Sequence, residues 1–309
     1  MQFNHFSVML NECIDALNIK QNGIYVDCTL GGGGHSSEIL NKINESGRLV
    51  AIDQDQYAID YCKQKFSDNF NVTFVKDNFK NINFILKELG INGVDGILMD
   101  LGVSSYQIDT DERGFSYMRN GELDMRMDKS QELTAKIIIN EYDEQKLSYI
   151  FKIYGEEKYH KKIANRIVNQ RKIKPIETTF ELVKLIDEII PRYEVKGHSS
   201  KKVFQALRIE VNEELDILEN AIKDAVKNLN IGGRIAIITF HSLEDRIVKN
   251  IFNYLALECI CPKQFPICKC EKKKEIKIIN KKPILPSSFE IEKNSRSSSA
   301  KLRVAEKIN

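Results

Sequence analysis

"VDCTLGGGGHSSEIL", Val26 to Leu40, decides the fold. A short apolar run ends in Asp27, four consecutive glycines follow, and a helical pattern with cap-like serines opens at Ser36. Ordering a glycine costs about 0.5–1 kcal/mol relative to alanine. Four together imply that something passes too close to this backbone for side chains. Strand, glycine turn and helix in that order form the first turn of a doubly wound α/β fold, where ligands sit at the carboxyl ends of the strands. A tight turn without a ligand is the plainer alternative.

The flanking sequence repeats the alternation. "GRLVAID" (Gly47–Asp53), "NVTFVKDNF" (Asn71–Phe79) and "VDGILMDLG" (Val94–Gly102) have strand composition. "QYAIDYCKQKF" (Gln56–Phe66) and "INFILKELG" (Ile82–Gly90) have helical spacing. Strands alternating with helices of this length predict βαβ units and a mostly parallel sheet. Residues 105–199 then show helix patterns only, with starts expected after Ser130 and at the threonines of "ETTF" and a stop at Pro191. They form an inserted helical domain, which leaves 1–104 and 200–309 as a discontinuous core. "KVFQALRIEVNEELDILENAIKDAVKNL" is helical in one or two pieces, "GGRIAIITFHS" (Gly232–Ser242) is a turn and buried strand, and "LEDRIVKNIFNYL" is a helix. "EIKIIN" and "KLRVAEK" are suited to a final antiparallel pair.

Composition bounds the function. The chain has 309 residues, 42% hydrophobic and 29% charged, enough apolar material for a large core. Net charge is only +2, so any nucleic-acid surface must be local. No apolar run approaches the ~20 residues of a membrane span. "MQFNHFSVMLNECIDAL" does not resemble a signal peptide, and a cytoplasmic location is expected. The seven cysteines are then thiols or metal ligands rather than disulfides.

Asp53 lies 22 residues beyond Gly31, near the offset of ~20 at which an acid binds ribose hydroxyls. The dinucleotide pattern Gly-x-Gly-x-x-Gly fails at Ser36, which disfavours a dehydrogenase. Asp27 ahead of the loop suits a ligand with a cationic amino-acid end, such as S-adenosylmethionine. Phe79 can pack on adenine or simply anchor the core. Asp100 ends the fourth strand, facing the expected cleft.

Together these residues resemble the bacterial small-subunit (16S) rRNA cytosine-N4 methyltransferases, the RsmH/MraW family. The resemblance rests on "DCTLGGGGHS", "AIDQD", "DLGVSSYQ", "RGFSY", "LDMRMD", "IYGEEKYHKKIANRI", "FQALRIEVNEEL", "GGRIAIITFHSLEDRIVK" and "RSSSAKLRVAEK", and so covers most of the chain. It implies a class I S-adenosylmethionine-dependent methyltransferase fold, Rossmann-like, with a helical domain inserted after the fourth strand. It also implies methylation of a cytidine N4 in the decoding region of 16S rRNA, within the small ribosomal subunit. Carried over by motif, the cofactor site is Gly33, Gly34, His35, Asp53, Phe79, Asp100 and Gln107. The family loop commonly has a larger residue among its glycines, whereas this chain has glycine at all four places.

The target amine's lone pair is delocalised into its ring, so the site must orient it and accept a proton. "DLGV" lacks the two prolines that many amino-methyltransferases carry there, which leaves Asp100, or carbonyls beside it, as the amine's acceptor. A purely cofactor-binding Asp100 is the alternative. His241 is a second candidate, as proton acceptor or base-positioning group, against a structural role beside a Ser242 helix cap. The target base must be unstacked to be reached. Candidate RNA contacts are Arg113, Arg119 and Arg126, then Lys158, Lys161, Lys162, Arg166, Arg171 and Lys172, then Lys196, His198, Lys201 and Lys202, against a merely solvated surface. "CICPKQFPICKC" sets Cys259, Cys261, Cys268 and Cys270 as two C-x-C pairs, able to hold a structural zinc or to remain reduced thiols. Cys13, Cys28 and Cys62 are expected in the core. The competing functions are the same fold acting on another amino group and a noncatalytic RNA-binding assembly factor. A homodimer stays open.

Overall fold

The computed structural model describes residues 7–191, 193, 197–262 and 268–309. Among them, seven strands form one sheet: β1 (Ile24–Asp27), β2 (Arg48–Asp53), β3 (Val72–Lys76), β4 (Val94–Asp100), β5 (Leu229–Thr239), β6 (Ile276–Ile278) and β7 (Lys301–Lys307). Their order is β3-β2-β1-β4-β5-β7-β6. The first five are parallel, β7 runs antiparallel to β5, and β6 pairs antiparallel with β7 as the terminal sequence suggests. This is the class I methyltransferase sheet.

The helices in chain order are α1 (Leu10–Leu17), α2 (Gly34–Lys42), α3 (Gln56–Lys65), α4 (Ile82–Glu88), α5 (Ser105–Asp109), α6 (Ala135–Glu141), α7 (Glu144–Ile153), α8 (His160–Arg171), α9 (Thr179–Asp187), α10 (Lys201–Asn212), α11 (Glu214–Asn228), α12 (Ser242–Leu255) and α13 (Ser288–Lys293). None of the described helices is long and apolar enough to cross a membrane.

The parallel strands are apolar on both faces because both are covered. Val50, Ile52, Ile97, Met99, Ile235 and Ile237 pack with α4, α11 and α12. Their neighbours Leu49, Ala51, Leu98, Ala236 and Ile238 pack with α1, α2 and α3. The alternation follows from the two-residue period of a strand, which sends successive side chains to opposite faces.

Two compact units emerge: Met1–Gly102 with Leu215–Asn309, and Val103–Glu214. The boundary placed at 200 from sequence therefore moves to 214. Helix α10 is the reason: Val203, Phe204, Ala206 and Leu207 bury with Phe151, Ile163 and Leu182 of the helical unit. Glu213, at φ 52, then breaks the long helical run into α10 and α11.

Three local expectations change. Helix α6 starts at Ala135 under a Thr134 cap, while the Ser130 hydroxyl bonds Asp128 at 2.8 Å. Ser36 and Ser37 lie inside α2, whose N-cap is Gly33. The turn expected at Gly232 is absorbed into β5 as an irregularity, with β4 partners jumping from Leu229 to Arg234. In α9 the expected cap holds: Thr178 and Glu181 form a capping box.

Candidate active site

Strand order reverses at β1, which has β2 on one side and β4 on the other. In an open α/β sheet that reversal opens the ligand crevice at the carboxyl ends. The loop after β1 is pinned across the gap. Cys28 N–H donates to the Leu98 carbonyl (2.9 Å), Leu30 N–H to that of Ile52 (3.0 Å), and Asp100 N–H to Thr29 Oγ1 (2.7 Å).

What passes close to Gly33 and Gly34 is the protein itself. A side chain on Gly33 would meet Cys62 Sγ and the Phe66 ring at 2.8 Å, and one on Gly34 would run into Ser7. Gly31 and Gly33 also sit at φ 50 and 69, in the left-handed region. Lys65 Nζ donates to the carbonyls of Gly32 (2.9 Å) and Gly33 (3.1 Å). These bonds tie the glycine loop to α3.

Asp27 behaves differently from its sequence expectation. Its carboxylate is fully buried, accepting the Ser36 hydroxyl at 2.6 Å and Thr29 N–H at 3.1 Å. Burial raises its pKa against those two bonds. It ties strand, loop and helix together, and Ser36, the residue that breaks the dinucleotide pattern, is its partner. No spacing in the sequence announced that pair.

Asp53 accepts Gly31 N–H and Asp55 N–H, both at 2.8 Å, one on each oxygen. Burial pushes its carboxyl up to about 6. Each oxygen keeps lone-pair capacity for a ligand hydroxyl. A ligand that needs the carboxylate competes with the proton, so affinity is expected to rise with pH up to about 6 and then level off. S-adenosylhomocysteine should bind about ten-fold more weakly at pH 5 than at pH 7 by titration calorimetry. Asp53→Asn should bind weakly with no such pH step; a wild-type profile flat across that range would refute the assignment.

Phe79 is half-buried and packs against the core, with a flank still open to solvent. Its neighbour Asn78 donates to Gln54 (2.8 Å), so β2 and β3 end in one polar network.

His35 is buried. Its Nε2 lies 3.1 Å from the Val8 carbonyl, which can only accept, so that nitrogen carries the hydrogen. Burial lowers the imidazole pKa to about 4, and the ring is neutral at pH 7. Its Nδ1 stands 3.9 Å from Asp100 Oδ2. Asp100 is the exceptional group. Its Oδ1 is buried with no hydrogen-bond partner among the described residues. Burial first, then the charges of Asp27, Glu244 and Glu290, hold its carboxyl well above the usual carboxylate range. An orphaned acceptor costs the fold about 1–3 kcal/mol, and a donor or cation placed there would relieve it. The residues present thus fit a ligand with an ammonium or amine end.

His241, not Ser242, caps α12. Its Nδ1 accepts Glu244 N–H at 3.5 Å, and Glu244 Oε2 accepts the N–H groups of Phe240 (2.8 Å) and His241 (3.3 Å). The His241 Nε2 lies 3.1 Å from Glu244 Oε1 but off hydrogen-bond geometry. A histidine rarely caps, so the pattern gave no usable signal for Glu244. If capping is the role of His241, His241→Asn should keep methyl transfer within a few-fold of wild type, since Asn caps well. His241→Ala should lose about 1 kcal/mol of stability. Loss of turnover in His241→Asn with an unchanged melting curve would instead make it a proton acceptor.

In the helical unit, Gln107 closes the capping box of α5, its Oε1 accepting Ser104 N–H at 3.1 Å. Of the arginines expected to contact RNA, Arg113 is internal and Arg126 is half-buried. Arg113 is buried, donating to the carbonyls of Arg126 (2.9 Å) and Met127 (3.0 Å). Arg126 forms a fork with Asp124 and reaches the Gln131 carbonyl. "RGFSY" and "LDMRMD" are therefore held together by backbone carbonyls that only the folded chain assembles. Arg119 is exposed, as are Lys158, Lys161, Lys162, Lys172, Lys201 and Lys202. Arg166 and Arg171 are half-buried, bonded to Glu188 and the Ile139 carbonyl. His198 stacks on Tyr117 at 4.6 Å. Lys196 lies outside the described residues.

Comparison with known proteins places the chain in a family. The family model described as "MraW methylase family" matches residues 2–308. A Clostridium botulinum protein named ribosomal RNA small subunit methyltransferase H is 58% identical over 309 residues, covering all of both chains. Proteins of the same name from Finegoldia magna and Clostridioides difficile are 56% and 55% identical, again over the full length of each. With the family match running nearly end to end and relatives 55–58% identical over their full length, this chain belongs to the MraW methylase family.

Proposed function

We propose that this protein uses S-adenosylmethionine to methylate the exocyclic N4 of a cytidine in the decoding region of 16S rRNA. The observation that carries the chemistry is Asp100, whose Oδ1 is buried without a hydrogen-bond partner among the described residues at the carboxyl end of β4. The rRNA substrate is supported by full-length relatives at 55–58% identity that carry a small-subunit rRNA methyltransferase name.

When bound, S-adenosylmethionine supplies a methyl group on a cationic sulfur. Asp53 would accept the ribose hydroxyls, Phe79 would flank the adenine, and Gly33, Gly34 and His35 at the start of α2 would take the carboxylate. Gln107 joins the cofactor set on the resemblance alone. Asp100 would accept from the amine that reacts, or from the cofactor's ammonium. As the sulfur–methyl bond breaks and the nitrogen–methyl bond forms, the electron pair returns to sulfur and a nitrogen-bound proton must leave. A carboxylate made more basic by burial is a competent acceptor for it. Exposed lysines of α8 and its flanks would hold phosphates, with strong salt dependence.

The test is methyl transfer from labelled S-adenosylmethionine to small ribosomal subunits lacking the modification, read by nucleoside mass spectrometry. N4-methylated cytidine is the expected product. Label appearing on another nucleoside or on a protein amine would redirect the substrate. No transfer to subunits or naked rRNA, with cofactor binding intact, would favour an assembly factor.

A further inference from the structure

We propose that Cys259, Cys261, Cys268 and Cys270 form a closed, structural four-thiolate zinc site. The segment joining α12 to β6 leaves and returns at one point, where Glu275 N–H donates to the Leu255 carbonyl at 2.9 Å. Its described apolar side chains lend little support: Leu257 and Ile260 are 45% and 51% exposed. A loop of this kind needs a cross-link or a metal to hold a shape.

The sulfur geometry distinguishes the two. Cys268 Sγ lies 3.4 Å from Cys259, 4.0 Å from Cys261 and 3.5 Å from Cys270, and Cys270 lies 3.6 Å from Cys259. All four sulfurs fall within 4.8 Å of one another. Disulfides would draw them into two pairs at about 2.05 Å. A tetrahedron with zinc–sulfur bonds of about 2.3 Å has sulfur–sulfur edges of about 3.8 Å. The cluster matches the tetrahedron.

The backbone is arranged for thiolates as well. Ile260 N–H points to Cys270 Sγ (3.4 Å), Cys261 N–H to Cys259 Sγ (3.3 Å) and Lys269 N–H to Cys261 Sγ (3.3 Å). Such outer donors orient ligands and spread their charge. Four thiolates on one zinc carry a net negative charge; Lys269 lies between the last two cysteines, and Lys272, Lys273 and Lys274 follow. Four protein ligands leave no open position, so the metal would hold the loop and take no part in methyl transfer.

Metal analysis of the full-length protein, purified under reducing conditions, should find one zinc per chain, and Cys268→Ser/Cys270→Ser should lose it. Cobalt(II) added to the metal-free protein should give the intense bands of tetrahedral thiolate coordination, saturating at one equivalent. Absence of zinc together with absence of those bands would overturn the site, as would zinc retained in full by the double variant. Because cobalt is read on the wild-type chain, a variant that fails to fold leaves the test intact.

Discussion

Asp100→Asn is expected to lower methyl transfer by about 10²–10⁴-fold, the range for losing a positioned proton acceptor, without lowering stability. The carboxyl is held above its usual range by burial and by the charges of Asp27, Glu244 and Glu290, and its Oδ1 has no partner among the described residues. A group with a folded pKa above its unfolded one destabilises the fold progressively as pH rises between the two. The neutral amide escapes that loss. Asp100→Asn should therefore melt at or above the wild-type temperature at pH 8, with the difference shrinking towards acid pH. Its backbone bond to Thr29 is untouched. Single-turnover rates and melting curves at pH 5 and 8 check both halves. A variant that turns over at more than a tenth of the wild-type rate would remove Asp100 from the chemistry. A variant that melts lower at every pH would make it a structural residue.

The second large effect is expected in the glycine loop. Gly33→Ala must place a side chain at φ 69 and within 2.8 Å of Cys62 and Phe66, both in the core. Left-handed strain of about 1–2 kcal/mol and overpacking of about 1–3 kcal/mol should together cost about 2–5 kcal/mol. Gly31→Ala shares the positive φ, but its nearest neighbour is the Thr29 carbonyl at 3.9 Å, so it should cost the strain alone. The pair separates the two causes. Melting temperature should fall several degrees further in Gly33→Ala, and calorimetry should find its S-adenosylhomocysteine affinity the more impaired. Equal stability of the two variants would mean that α3 yields to the new methyl group, against a close-packed core.

The glycine loop was legible as a site, yet its crowding had another source than a ligand alone. At Gly33 the sequence separation to Cys62 and Phe66 is too long for any pattern to show, and only the packing of the glycine loop on α3 brings them together. Arg113 and Arg126 read as basic surface because charge is visible in a sequence and the carbonyls that engage it are not. Helix α10 read as core because its apolar stripe says that it buries a face but not against what.

By itself, the sequence determined the alternation of strands and helices, the antiparallel end of the sheet, the glycine turn and the acids that close β2 and β4. These follow from local periodicity, backbone conformation and residue spacing, which operate over a few residues. Tertiary structure decided that Asp27 is spent on Ser36 and Thr29, that His35 is neutral, that Asp100 Oδ1 is left without a partner among the described residues, and that four cysteines converge. Those outcomes depend on burial and on partners far along the chain, and desolvation exists only once the chain has folded around the group.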